Sequence, residues 1–150
     1  MKIIIDTNIV FSAVINSQGK IGDLIFKSSN CFHFYSADYL LFELSNHREK
    51  LKKLSKLNDE QLTKSIYHIS RKIRFIEEQI IPRKIWIDSE KIVSEIDIDD
   101  VDFVSMTKYL NGILWTGDKR LHNGLKKSDF VQVMNTDELL DFRNEILKRG

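Results

Sequence analysis

Seven acidic side chains in four separate stretches of this sequence could be brought together to hold a divalent cation. Asp6 closes the run KIII, and Asp118 follows ILWTG. Asp97, Asp99, Asp100 and Asp102 crowd into IDIDDVDF, and Glu43 stands in YLLFELSNH. Carboxylates arriving from several elements can bind magnesium through hard oxygen ligands while the ion keeps several of its waters. Such an ion beside a phosphodiester activates water, neutralises phosphate charge and stabilises the leaving oxygen. The chemistry asks for convergence in space and needs no tight local motif.

Each acid also has an ordinary explanation. Asp6 could be an N-cap shared with Asn8, because Asp and Asn are favoured there. Asp118 could pair with Lys119 or Arg120, with Thr116 either bonding a carboxylate or capping the next helix. The IDIDDVDF acids open a helix, where carboxylates suit the positive end of the macrodipole. Four acids so close also repel one another, which raises their pKa values or invites a cation. Their spacing is not that of an EF-hand loop. Glu43 could lie on a solvated helix face, as most glutamates do.

The elements that must position these residues are legible in outline. KIII is a short β-branched run and reads as a buried strand, with Asp6 at its carboxyl end. The pattern predicts a helix from about Ile9 to Ala13, a break at NSQGK, a short helix in IGDLIFKSSN and a strand in CFHFYSA. Helical spacing of leucines makes DYLLFELSNHREKLKKLS one amphipathic helix. Asn58 then caps a second helix running to about Glu78, and the two form a hairpin. IIPRKIW is expected as an edge strand, since Pro82 cannot donate to a central ladder. SEKIVSEI and the span from Asp100 to Leu110 are expected helices, and ILW a strand. LHNGLKKSD is expected as a helical turn and loop, FVQVM as a strand, and TDELLDFRNEILKR as a terminal helix capped by Thr136. Strands alternating with helices imply an α/β fold with a mainly parallel sheet. Ligands bind beyond the carboxyl ends of such strands, which is where Asp6 and Asp118 fall.

Composition sets bounds on this picture. The 150 residues fit one domain, 1–150, and a single proline and six glycines leave little room for a flexible linker. The net charge of +1 does not advertise a nucleic-acid binder, so segregation of charge must do what the total does not. One cysteine, Cys31, excludes an internal disulfide and a cysteine-rich zinc site, and is expected as a buried thiol. No stretch has the length of a membrane span or the apolar core of a signal peptide, so a cytoplasmic location is expected. Histidines 33, 47, 68 and 122 show no zinc spacing. Trp86 and Trp115 are expected in the core or an interface.

The segments IIIDTNIVFSA, YLLFELSNH, DIDDVDFVSMT and LWTGDKRL, in this order, resemble a PIN domain, the nuclease fold shared by many type II toxin–antitoxin toxins. The resemblance spans nearly the whole chain. It implies a three-layer α/β/α sandwich around a mainly parallel sheet, with acids gathered at one edge on Mg2+ or Mn2+. Asp6, Glu43, Asp100 and Asp118 match the four acids of the family pattern, and Asp97 an auxiliary acid just before the third. Asp102 and Ser105 depart from that pattern.

The activity implied is metal-dependent RNA hydrolysis: in-line attack by water, leaving a 5′-phosphate and a 3′-hydroxyl. Asp6, Asp100 and Asp118 would ligate the ion, and Glu43 would ligate it or orient water. Asn8 and Thr116 would hold the carboxylates in orientation. Lys119 and Arg120, beside Asp118, are the expected contacts to RNA. The runs Arg48, Lys50, Lys52, Lys53, Lys56 and Lys64, Arg71, Lys72, Arg74 read more simply as solvated faces, and Lys126 and Lys127 extend the basic stretch after Asp118. A cognate antitoxin and a homodimer are the partners implied. The alternative of another class is a catalytically silent PIN fold held by a protein or RNA partner. Phosphatase-like and receiver-like α/β domains are disfavoured: DTN lacks a second aspartate two positions after Asp6, and no acid pair adjoins the first strand.

Overall fold

The computed structural model describes residues 1–129 and 131–150. Among them, five strands form one parallel sheet: β1 (Lys2–Ile5), β2 (His33–Ala37), β3 (Ile73–Ile76), β4 (Ile113–Trp115) and β5 (Gln132–Met134). The spatial order is β3-β2-β1-β4-β5, and every adjacent pair is parallel. Ile3 and Ile5 stand opposite Ile113 and Trp115 on β4, and Ile4 opposite Tyr35 on β2. The chain winds from β1 outward through β2 to β3, then returns to the other side of β1 for β4. The sheet therefore has its topological switch point between β1 and β4.

Alternation along β1 divides the core. Ile3 and Ile5 pack with Trp115, Phe34 and the apolar faces of α1 (Thr7–Ile15), α2 (Lys20–Lys27), α3 (Tyr39–Asn46), α4 (Arg48–Ser55), α5 (Asp59–Ser70) and α9 (Thr136–Arg149). Ile4 packs on the opposite face with Leu114 and with α6 (Arg83–Val93), α7 (Val101–Leu110) and α8 (Lys119–Ser128). This is the expected three-layer α/β/α sandwich. Ile3, Ile4 and Ile5 are fully buried, each worth roughly 1.5–3 kcal/mol relative to exposure. Trp115 is likewise core, while Cys31 is only half-buried against it.

Several local expectations are corrected. The long helix after Asp38 is two helices, broken at His47, whose φ of −101° and ψ of 20° lie off the helical path. The Asn58 helix ends at Ser70, not near Glu78. Ile73 and Phe75 bury one side of the alternating run IRFI, and pairing with β2 makes it the edge strand β3. IIPRKIW is not a strand: Pro82 stands at the start of α6, where its missing N–H costs nothing. SEKIVSEI contributes to the end of the same helix. The segment after Asp118 is the full helix α8, since Leu121 and Leu125 at i,i+4 are both buried. α9 is capped by Asn135, one residue before Thr136, in a reciprocal capping box with Glu138. FVQVM is found as β5, with Phe130 outside the described residues. No helix among those residues is long and apolar enough to cross a membrane.

Candidate active site

Asp6 is the first residue beyond β1 and the N-cap of α1, accepting a hydrogen bond from the Ile9 N–H at 3.0 Å. The N-cap role weighed for it in the sequence is found, and it uses only one of the two carboxylate oxygens. The second, Oδ2, accepts a 2.5 Å bond from the Thr116 hydroxyl just beyond β4. Thr116 is fully buried and in turn accepts from the Asp118 N–H at 3.1 Å. One hydroxyl thus ties together the carboxyl ends of β1 and β4, across the switch point. Asp6 is 5% exposed. Burial pushes its pKa up and the charge of Asp118 adds to this, against the opposing hydrogen bonds from Thr116, Ile9 and Asn8.

Asp118 caps α8, accepting from the Arg120 and Leu121 N–H groups at 2.9 and 3.2 Å. Asp100 occupies the N-cap position of α7 but makes no capping bond with its side chain. Its Oδ2 is buried without a hydrogen-bond partner. Burial, then the charges of Asp97, Asp118, Asp6 and Asp102, raise its pKa to about 7. Asp97 bonds the Asp99 N–H at 3.1 Å through one oxygen. Asp97, Asp100 and Asp118 each offer a carboxylate oxygen within 4.8 Å of the others. Gly124 assists: a Cβ there would meet Ile96 Cδ1 at 2.5 Å, so its absence lets α8 lie against the segment leading into Asp97.

Glu43 projects from α3 into the same cleft of about 230 Å³, which is lined also by Asp6, Asn8, Asp99, Asp100 and Asp118. Its carboxylate lies 3.4 Å from His47 Nε2, one helical turn on, and remains 39% exposed. The four motif acids therefore share one cleft, with Asp97 at its border. Asn8 lines it as an exposed residue and Thr116 supports it from beneath. Lys119 and Arg120 are exposed on the first turn of α8, directly after Asp118.

The basic residues of α4 and α5 lie elsewhere. Arg48 and Lys52 reach Asp59, and Lys64 reaches Glu60. His122 is engaged with Glu138 and so does not face the acids. A larger cleft of about 670 Å³ opens between α7, α8 and β5, but it mixes Lys108 and Lys126 with Asp129 and Glu138 and is lined by none of the motif acids.

Thr7, Tyr39 and Phe103 also line the acidic cleft, and sequence reading gave the first two no role there. Tyr39 had a usable signal. It precedes Glu43 by four residues on one helix, which places both on one face.

Three or four hard oxygen donors, one of them a buried orphan, suit Mg2+ or Mn2+ and offer nothing to a soft metal. A family model for the PIN domain matches residues 4–141. The chain belongs to the PIN domain family. Among solved structures this PIN domain is similar to VapBC2 from Rickettsia felis, determined bound to a DNA fragment from their promoter. The TM-score is 0.67 at 16% identity, over 90% of this chain and 98% of that one, a likeness of fold. The comparison with curated proteins gives no match. PIN domains generally use divalent metals, in keeping with the donor set found here.

Proposed function

We propose that this PIN domain is a divalent-metal-dependent endoribonuclease acting in the cytoplasm as the toxin of a type II toxin–antitoxin pair. The observation that carries the nuclease reading is the convergence of Asp6, Glu43, Asp100 and Asp118 on one cleft at the switch point. Asp6, Asp100 and Asp118 would hold Mg2+ or Mn2+, with Asp97 alongside. When bound, the cation supplies charge neutralisation at the phosphate and an activated water.

The remaining work belongs to the chain. Thr116 fixes the Asp6 carboxylate by donating to Oδ2, leaving that group oriented toward the cleft. Glu43, far more accessible than Asp6, orients the attacking water and takes up its proton as the water approaches phosphorus in line and the 3′-oxygen departs. Lys119 and Arg120 draw the RNA backbone toward an otherwise anionic surface. An antitoxin partner is supported by the likeness to VapBC2, and a homodimer by family resemblance. Retention of all four acids favours activity over a silent binding module.

Purified protein incubated with single-stranded RNA and Mg2+ or Mn2+ should cleave it, giving 5′-phosphate ends. Asp6→Asn should lower the rate by more than about a hundredfold, beyond the loss typical of residues that merely support a ligand. Cleavage that persists unchanged in Asp6→Asn would overturn the nuclease reading.

A further inference from the structure

α7 follows directly on a single 3-10 turn, Ile98–Asp100, whose start is capped by Asp97 at the acidic cleft. Asp100, the last residue of that turn, makes no capping bond of its own, and its carboxylate lies among the other acids. A contact from another helix holds the first turn of α7. The Tyr39 hydroxyl of α3 donates to Asp102 Oδ2 in the first turn of α7 at 2.8 Å. The Tyr39 ring meets Phe103, the next residue, edge-on at 6.3 Å between centroids. Thr7, the neighbour of Asp6, approaches the same hydroxyl, and Glu78 reaches Asp102 from the turn after β3. Tyr39 is thus the joint at which the segments bearing Asp6, Glu43 and Asp100 meet.

We propose that Tyr39 is a positioning residue, holding Asp100 in its metal-binding place through the Oη–Asp102 bond. This rests on the metal-site reading above. Burial and the neighbouring Asp102 raise the pKa of Tyr39, so the hydroxyl keeps the proton that the bond requires.

The test is Mn2+ affinity, measured by calorimetry on wild type, Tyr39→Phe, Asp102→Ala and the double variant, beside RNA cleavage at varied Mn2+. Phenylalanine keeps the ring and its packing on Phe103, so Tyr39→Phe should fold. It should bind Mn2+ about tenfold more weakly and need correspondingly more Mn2+ for half-maximal cleavage, with KM for RNA unchanged at saturating metal. In the Asp102→Ala background the same change should have no further effect. Unaltered Mn2+ affinity in Tyr39→Phe, even with a lowered Tm, would overturn the proposal and leave a purely structural tyrosine. So would an equal loss in both backgrounds, or a raised KM at saturating metal, since either means that Tyr39 acts directly at the site. Failure of wild type to bind Mn2+ would instead remove the metal-site reading itself, and this inference with it.

Discussion

Asp100 concentrates the electrostatic tension of the site in one carboxyl. It is half-buried beside four other acids, and one of its oxygens has no hydrogen-bond partner. With a folded-state pKa near 7 against an ordinary value of 3.8, its ionised form is disfavoured in the folded protein. The native state therefore binds this proton more tightly than the unfolded chain. The cost is fully present above about pH 7 and is relieved as pH falls toward 3.8. Without metal, Asp100→Asn should stabilise the protein at about pH 8 by on the order of 1–2 kcal/mol, after allowing for solvent screening. That gain should shrink as pH is lowered to about 4. Thermal unfolding of both proteins across that range, in chelator, checks this. Added Mn2+ should reverse the order, because it stabilises only the protein that keeps the ligand.

At the scale of elements, helix starts do double service. Asp6 and Asp118 cap α1 and α8 while lining the cleft, so capping and the proposed cation binding fall on the same residues. Helix α9 has a separate arrangement. Asn135 and Glu138 form a capping box, and the Glu138 carboxylate also meets His122 and Lys126 of α8. Burial opposes its ionisation, but the bonds from Lys126, Asn135 and His122 prevail and hold its pKa near 2. Asn135→Ala should cost about 1 kcal/mol in urea unfolding and leave Mn2+ affinity unchanged. Thr136 has a different part: its hydroxyl accepts from the Trp115 indole and caps nothing.

For the whole molecule the question is how a protein of net charge +1 would draw the proposed RNA substrate to an acidic cleft. Its charge is segregated. Carboxylates fill the switch point, while the α4 and α5 cations are partly spent on Asp59 and Glu60. Lys119 and Arg120 remain exposed directly after Asp118. Lys119→Ala with Arg120→Ala should weaken RNA binding and lower the slope of log affinity against log salt by about 1–1.5, at roughly 0.7 per contact. The same pair of changes at Lys64 of α5 and at Arg71, which follows its last turn, should leave the slope nearly unaltered. Fluorescence anisotropy over a salt series, in the Asp6→Asn background to prevent cutting, distinguishes them.

Much of this protein was legible in its sequence. KIII and ILW read as buried strands, with Asp6 directly after the first and Asp118 three residues after the second, at the sheet's carboxyl edge. Family resemblance then selected Asp100 from its cluster and raised Glu43 above an ordinary helix residue. Other features were decided by tertiary pairing. IRFI became a strand because β2 offered a free edge, and Pro82 began a helix because its φ and missing N–H suit that position as well as an edge. The Tyr39–Asp102 bond joins residues 63 apart, through no periodicity that a linear chain displays. Local pattern determined which residues must leave water and where acids follow strands. Only the winding order, which sets β4 beside β1, decided that Asp6 and Asp118 share one hydroxyl.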